Sequence, residues 1–318
     1  MQTALIAGGS GFIGSHLSEK LLQDGYTVIV VDNFITGRKN NLETLLNNQN
    51  LTLVELDLAD MTKKLDIPHV DFVFHLASPA SPNAKSPDSY INHPIETMMV
   101  NSLGTQRLLD VAKENNARFL FASTSEVYGD PAVSPQSEDY FGNVNPNGVR
   151  SVYDESKRYG EAITMAYNRT FNVDTRIIRI FNTYGPKMQK DDGRVVSNFI
   201  NQALGGEPLT IYGNGAQTRS FCYVSDMVEG IAKAMFTPQT SGQVINLGNP
   251  DERTVSDLAA MIKEMTNSTS DIVHEDLPQD DPKKRNPDIT KAKQLLSWSP
   301  RVTINEGLEK TIEYFKSI

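Results

Sequence analysis

Along the first 180 positions of this 318-residue chain, short apolar runs alternate with segments of helical periodicity. Thr3–Ala7 reads as a strand apolar on both faces, the pattern of a parallel sheet covered on both sides. A helical pattern follows over residues 15–23, then a second apolar run over 27–31 that ends in Asp32. Further strands are predicted over 51–56, 72–76, 119–122 and 174–180. Helices are predicted over about 94–114 and 151–169. Alternation of this kind predicts an α/β, Rossmann-type doubly wound parallel sheet, with ligands at the carboxyl ends of its strands.

After Ile180 the texture changes. Glycine and proline become frequent, helices shorten, and strands such as Leu209–Tyr212 and 244–247 stand isolated. We therefore expect an NAD-binding domain over 1–180 and a smaller, mixed α/β substrate-binding domain over 181–318, with segments of the second able to return to the main sheet. No internal repeat is present.

The first strand runs into Gly8-Gly9-Ser10-Gly11-Phe12-Ile13-Gly14. Glycines at these spacings permit a tight turn and a close approach of backbone to a pyrophosphate at a helix N-terminus. Asp32, at the end of the second strand, would accept hydrogen bonds from a ribose diol and repel a 2′-phosphate, which favours NAD over NADP despite Arg38 and Lys39 nearby. Asp57, ending the third strand, can reach an adenine amine. The residues expected to line the cofactor are Gly8, Gly11, Phe12, Ile13, Gly14, Asp32, Asn33, Asp57, Leu58, Leu76, Ala77 and Ser78, together with Tyr153 and Lys157.

Composition narrows the classes. The 39% hydrophobic content is enough for a sizeable core, and no apolar run is long enough for a membrane span. The chain enters a strand at once, without a secretory pattern, and its lone Cys222 leaves no internal disulfide, so a cytoplasmic location is expected. The net charge of −9 argues against nucleic acid as a partner. The five histidines show no metal-ligand spacing, so no metal is expected, and His75 at a strand end reads as structural.

Tyr153 and Lys157 stand at i and i+4, on one helix face. An ammonium beside a phenol eases loss of its proton, which gives a candidate acid/base for a sugar hydroxyl. Thr124 could hold the same substrate oxygen. Glu126, two residues on, is a carboxylate that simple alcohol oxidation does not require.

With these motifs in place, the chain resembles the extended short-chain dehydrogenases/reductases that act on nucleotide sugars, and among them the UDP-glucuronic acid decarboxylases, or UDP-xylose synthases. The resemblance rests on residues 75–82 (HLASPASP), 123–131, 135–140 (PQSEDY), 192–199 (DGRVVSNF), 217–219 (QTR), 246–250 (NLGNP) and 280–288. It implies an enzyme with tightly bound NAD that oxidises C4 of a UDP-uronic acid, loses CO₂ from the resulting β-keto acid, and reduces C4 again. It assigns proton transfer at O4 to Tyr153, lowering of its pKa to Lys157, orientation of the hydroxyl to Thr124, and the decarboxylation stage to Glu126 and Arg285. Glu126 would either position a proton donor for C5 or turn the carboxylate out of plane. Substrate contacts are expected from Pro79, Glu126, Asn182, Arg194, Tyr212, Gln217, Arg219 and Arg285: Asn182 and Arg219 at the diphosphate, Tyr212 and Arg194 at the uridine.

Sister reactions are weighed on the same residues. The 4,6-dehydratases carry Asp-Glu where Ser125-Glu126 stands, so dehydration is disfavoured. The 4-epimerases usually have small or hydroxyl residues in place of Glu126, which leaves 4-epimerisation of a UDP-uronic acid or related nucleotide sugar as the alternative. An NAD-binding regulator without turnover would tend to lose Tyr153 or Lys157. The 83–93 segment is longer and more polar than in the decarboxylases, and either adjusts sugar choice or is a surface insertion. By analogy with these enzymes, the 94–114 and 151–169 helices would form a homodimer interface.

Overall fold

The computed structural model describes residues 1–277, Pro282 and 284–318. Asp280, Asp281 and Lys283 of the charged 280–285 cluster lie outside the described residues. The chain order begins β1 (Thr3–Ala7), α1 (Phe12–Gln23), β2 (Thr27–Asp32), β3 (Leu51–Glu55), β4 (Phe72–His75), α2 (Pro94–Met99), α3 (Thr105–Asn115), β5 (Arg118–Thr124) and α4 (Ser151–Phe171). It continues β6 (Thr175–Ile180), β7 (Thr183–Tyr184), α5 (Val195–Gly205), β8 (Leu209–Tyr212), β9 (Thr218–Ser220), β10 (Cys222–Tyr223) and α6 (Val224–Phe236). The final elements are β11 (Gln243–Leu247), β12 (Glu252–Thr254), α7 (Val255–Met265), β13 (Ile272–Glu275), β14 (Lys284–Arg285), α8 (Thr290–Leu296) and α9 (Ile304–Ser317).

Seven strands form one sheet in the order β11-β6-β5-β4-β1-β2-β3, and each neighbouring pair is parallel. Order reverses at β1, which opens a crevice above the carboxyl ends of β1 and β4, where dinucleotides bind in such folds. Alternation along β1 shows how both faces are covered: Ala4 and Ile6 pack into the cluster that includes α1 and α6, and Leu5 and Ala7 into the one that includes α3. β11 pairs with β6 from Gln243↔Arg176 to Leu247↔Ile180, so the main sheet takes in a strand from beyond residue 181.

Two local departures from the sequence expectation have physical causes. α1 starts at Phe12, three residues earlier than the apolar pattern suggests, because Gly11 in extended conformation ends the turn and its carbonyl accepts from Ser15 N at 3.0 Å. The helix expected over 94–114 contains one π turn, Val100–Gly104, between α2 and α3. That turn seats the fully buried Asn101, whose side chain donates to Ser78 Oγ at 2.9 Å and Ser156 Oγ at 3.1 Å. It thereby ties the loop after β4 to α4. No helix among the described residues is long and apolar enough to cross a membrane.

Candidate active site

The glycine turn fits a pyrophosphate by what it excludes. A Cβ at Gly14 would lie 2.1 Å from Gly8 O, and one at Gly8 (φ +78°) 2.7 Å from Ala77 Cα. Only glycine lets β1, α1 and the loop after β4 close together here. Asp32 is buried and accepts Ser10 N at 3.0 Å and Phe34 N at 2.9 Å, which fixes its carboxylate at the end of β2. These residues fit the nicotinamide dinucleotide expected from the sequence.

Three cavities lie end to end over the sheet. The first, ≈ 70 Å³, is walled by Asp32, Asn33, Asp57, Leu58, Ala77 and Pro79. Pro79, expected at the substrate, thus sits beside the cofactor-side residues. It shares Gly8, Gly11, Leu76 and Ser78 with the second, ≈ 220 Å³, whose walls include Phe12, Ile13, Gly14, Thr124, Glu126, Tyr153 and Lys157. The third, ≈ 510 Å³, holds Tyr212, Gln217, Arg219 and Arg285, and shares Glu126, Asn182 and Arg194 with the second. Every residue nominated from sequence lines one of the three.

Several of those residues have local duties too. Gln217 Nε2 donates to Tyr212 O at 2.6 Å, and Arg219 Nη2 donates to Pro282 O at 2.5 Å. Arg194 is paired with Asp192 by Nε at 2.5 Å and Nη2 at 2.6 Å, and lines the middle cavity as well as the outer one. It thus stands at the border of the two cavities.

In the middle cavity α4 presents Tyr153 and Lys157 on one face, as their spacing predicts. The expected lowering of the Tyr153 pKa by Lys157 is absent from the principal influences. Burial raises the phenol well above its usual value, and a hydrogen bond with Thr124 is the first effect opposing it. Lys157 Nζ donates to Ala122 O at 2.9 Å and lies 5.7 Å from the Tyr153 ring centre. Burial lowers its own pKa to about 7, with Glu161 opposing.

Glu126 sits in the turn after β5, its backbone N bound to Thr124 Oγ1 at 3.2 Å. Arg150 Nη2 donates to Glu126 Oε2 at 2.5 Å, and Arg285 Nη2 donates to the same oxygen at 3.2 Å. Arg285 is 1% exposed, and its Nη1 also donates to Ser125 O at 2.7 Å, so it is locked in place. Burial pushes the Glu126 carboxyl up, but Arg285 and then Arg150 pull it further down, to about 2. Two guanidinium charges facing one carboxylate leave an excess positive charge beside Thr124 and Tyr153.

Residues of the 135–140 and 246–250 segments hold the stretch that carries Arg285. Gln136 Oε1 accepts Asn286 N at 2.8 Å, and Gln136 O accepts Asp288 N at 2.8 Å. Asn246 Nδ2 donates to Gln136 O at 3.0 Å and its Oδ1 accepts from Tyr128 OH at 2.8 Å. His75 is buried and neutral, its pKa pushed down to about 3 chiefly by burial, with Nε2 3.0 Å from Thr105 Oγ1.

Sequence reasoning missed Arg150, Tyr90 and Asp154. Arg150 stands three residues before Tyr153, and that spacing alone could have nominated it. Tyr90 comes from the 83–93 segment, which is therefore more than a surface insertion: its Lys85 also lines the outer cavity and pairs with Glu275 at 3.2 Å. Tyr90 lines the middle cavity and stacks on Tyr153.

A dinucleotide crevice opening onto a threonine–tyrosine–lysine set defines a Rossmann-fold enzyme that oxidises and reduces a hydroxyl of a ligand lying along the trough. The chain belongs to the NAD dependent epimerase/dehydratase family, which it matches over residues 4–248. It is 52% identical over 311 residues to UDP-glucuronic acid decarboxylase 1 of Danio rerio, covering 98% of this chain and 72% of that protein. It is 50% identical to UDP-glucuronic acid decarboxylase 2 of Arabidopsis thaliana, covering 98% and 68%. Among solved structures, UDP-glucuronic acid 4-epimerase from Bacillus cereus, in complex with UDP-glucuronic acid and NAD, superposes with a TM-score of 0.86 at 30% identity, over 99% of each chain.

Proposed function

We propose that this chain decarboxylates UDP-glucuronate to UDP-xylose with NAD. The observation that carries the reading is Glu126 held between Arg150 and Arg285 beside Thr124 and Tyr153. The residual positive charge there matches a C6 carboxylate, for which a hydroxymethyl group would be no counter-ion. NAD, which the Gly8–Gly14 turn and Asp32 would hold, would supply reversible hydride chemistry at C4. Tyr153 withdraws and returns the O4 proton while Thr124 holds the hydroxyl. Its phenol, raised by burial, is a stronger base once ionised than a free tyrosine. Lys157, bound at Ala122 O, lies alongside as the cation that offsets the phenolate. Once C4 is a ketone, Arg285 and Arg150 hold the carboxylate, and Glu126 fixes both guanidinium groups so that neither follows the charge as it moves.

Asn182 and Arg219 serve the diphosphate, and Tyr212 and Gln217 the uridine, so the nucleotide end falls to residues beyond 181 and the cofactor to residues 1–180. Exposed Ile95, Met98, Met99 and Leu103, with Tyr159 on α4, offer a face for a homodimer. The 4-epimerase likeness in fold is real, but a glutamate tied to two arginines beside Thr124 and Tyr153 favours decarboxylation.

The test is incubation with NAD and UDP-glucuronate. Release of CO₂ and a product lighter by its mass are expected. A product of unchanged mass would mean epimerisation, and loss of water would mean dehydration.

A further inference from the structure

Thr124 stands where the two ends of one hydrogen-bonded ring meet. On one side of it, Ser123 Oγ donates to Glu161 Oε1 at 2.6 Å. Arg179 grips the same carboxylate as a fork, Nε to Oε1 at 2.9 Å and Nη2 to Oε2 at 2.8 Å. Its Nη1 donates to Tyr128 OH at 2.9 Å and to Glu138 O at 3.2 Å, and Tyr128 OH donates to Asn246 Oδ1. From Asn246 the ring runs through Gln136 and Asn286 to Arg285, whose Nη1 returns to Ser125 O on the other side of Thr124.

Ser123, Tyr128, Gln136, Asn246 and Arg285 are buried, and the side chains of Glu161 and Arg179 are 13% and 12% exposed. Such an enclosed ion pair is weak evidence for stability, because desolvation offsets much of the attraction. What the planar fork does supply is a fixed orientation. The ring joins the end of β5, α4 and the 285–288 stretch, and each of these carries part of the reacting centre: Thr124 and Glu126, Tyr153 and Lys157, and Arg285. Neither Glu161 nor Arg179 lines any of the three cavities, so each can act only through the groups it holds.

We propose that Glu161 and Arg179 are positioning residues for the reaction: as a forked pair they hold the end of β5, with Thr124 and Glu126, in register with α4 and with the stretch that carries Arg285. The inference rests on the decarboxylase reading above. Glu161 has a second reach, since it lies one turn beyond Lys157 on α4 and is the anion that opposes burial there. The other groups facing that ammonium carry no negative charge while Tyr153 is a phenol: Tyr153 itself on α4, the Phe121 ring and Ala122 O on β5, and the neutral His75 on β4. Removing the Glu161 charge therefore favours loss of the Lys157 proton.

The test compares the NAD-loaded full chain with its Glu161→Gln, Arg179→Lys and Ser123→Ala variants, following CO₂ release from UDP-glucuronate over a pH series. Glu161→Gln and Arg179→Lys each break the fork, so kcat should fall about tenfold in both while KM changes by less than about twofold. The two should part in pH dependence. The alkaline decline of kcat, where Lys157 loses its charge, should move to lower pH in Glu161→Gln and stay in place in Arg179→Lys, which keeps the cation. A role confined to stability would move neither. Parent-like kcat in either variant, kcat and KM worsening together with loss of NAD, or coincident pH profiles for Glu161→Gln and the parent would each overturn the inference while leaving decarboxylation standing. Should the pair variants fail to fold, Ser123→Ala decides, because it leaves the ion pair whole: a lowered kcat with KM kept supports the ring, and a parent-like kcat overturns it. Absence of CO₂ from the parent overturns the decarboxylase reading itself.

Discussion

Tyr90 lies flat on Tyr153, with ring centres 4.9 Å apart and planes within 3° of parallel. Stacked phenols restrict each other's rotation, so Tyr90 fixes the ring that must meet O4. Tyr90→Leu removes the plate. We expect a loss of about 2–4 kcal/mol in stability for this fully buried aromatic, and a kcat fall larger than any change in NAD affinity. Tyr90→Phe should keep the stability within about 1 kcal/mol, since its hydroxyl has no partner to lose. Denaturant unfolding of both variants checks this, and equal losses would refute the stacking role.

Glu126→Ser should abolish CO₂ release while NAD stays bound, because the glycine turn and Asp32 are held by bonds that do not involve Glu126. Unfolding should become easier by about 3–5 kcal/mol, since two buried guanidinium groups lose their counter-ion. Decarboxylation at the parent rate would remove Glu126 from the mechanism.

Asp154 also marks the stability of the fold against pH. Its carboxyl is raised from 3.8 to about 8, so between those values the folded state binds a proton that the unfolded state has released. Stability from this group is complete below about pH 4 and is lost as pH rises toward 8. Asparagine has no such dependence. Asp154→Asn should therefore gain on the parent in Tm between pH 5 and pH 8, as thermal scans across that range would show. A constant difference would mean the carboxyl is ionised throughout.

Gln136→Ala removes the side chain that receives Asn286 N and donates to Val133 O at 2.7 Å. A cost of about 1–3 kcal/mol follows from leaving buried groups unpaired. Freed from its clamp, the 285–288 segment would let Arg285 wander, so CO₂ release should drop with NAD binding intact. A variant that loses both equally would point to general unfolding.

The cofactor half of the site was legible because parallel strands buried on both faces read as continuous apolar runs, and runs lead directly into residues with chemistry, as β1 into the Gly8–Gly14 turn and β2 into Asp32. Position at a strand end is a local property. Arg285 was not legible from periodicity: it is an isolated basic residue nominated by resemblance, and the structure brings it to Ser125 from 160 residues away. Tyr90 escaped because its segment is polar and aperiodic. Asp154 escaped because a carboxylate on a helix ordinarily reads as solvated, and only packing reveals that this one is enclosed. Spacing put Lys157 beside Tyr153, and only packing reveals that burial is the leading influence on the phenol.

The Arg285–Ser125 contact also sets an order in time. As the chain emerges from a ribosome, the glycine turn, Asp32 and the Tyr153 helix are complete long before residue 285 exists. A nascent or shortened chain that stops before residue 285 can thus carry much of the cofactor crevice and still lack the guanidinium that completes the charge cluster.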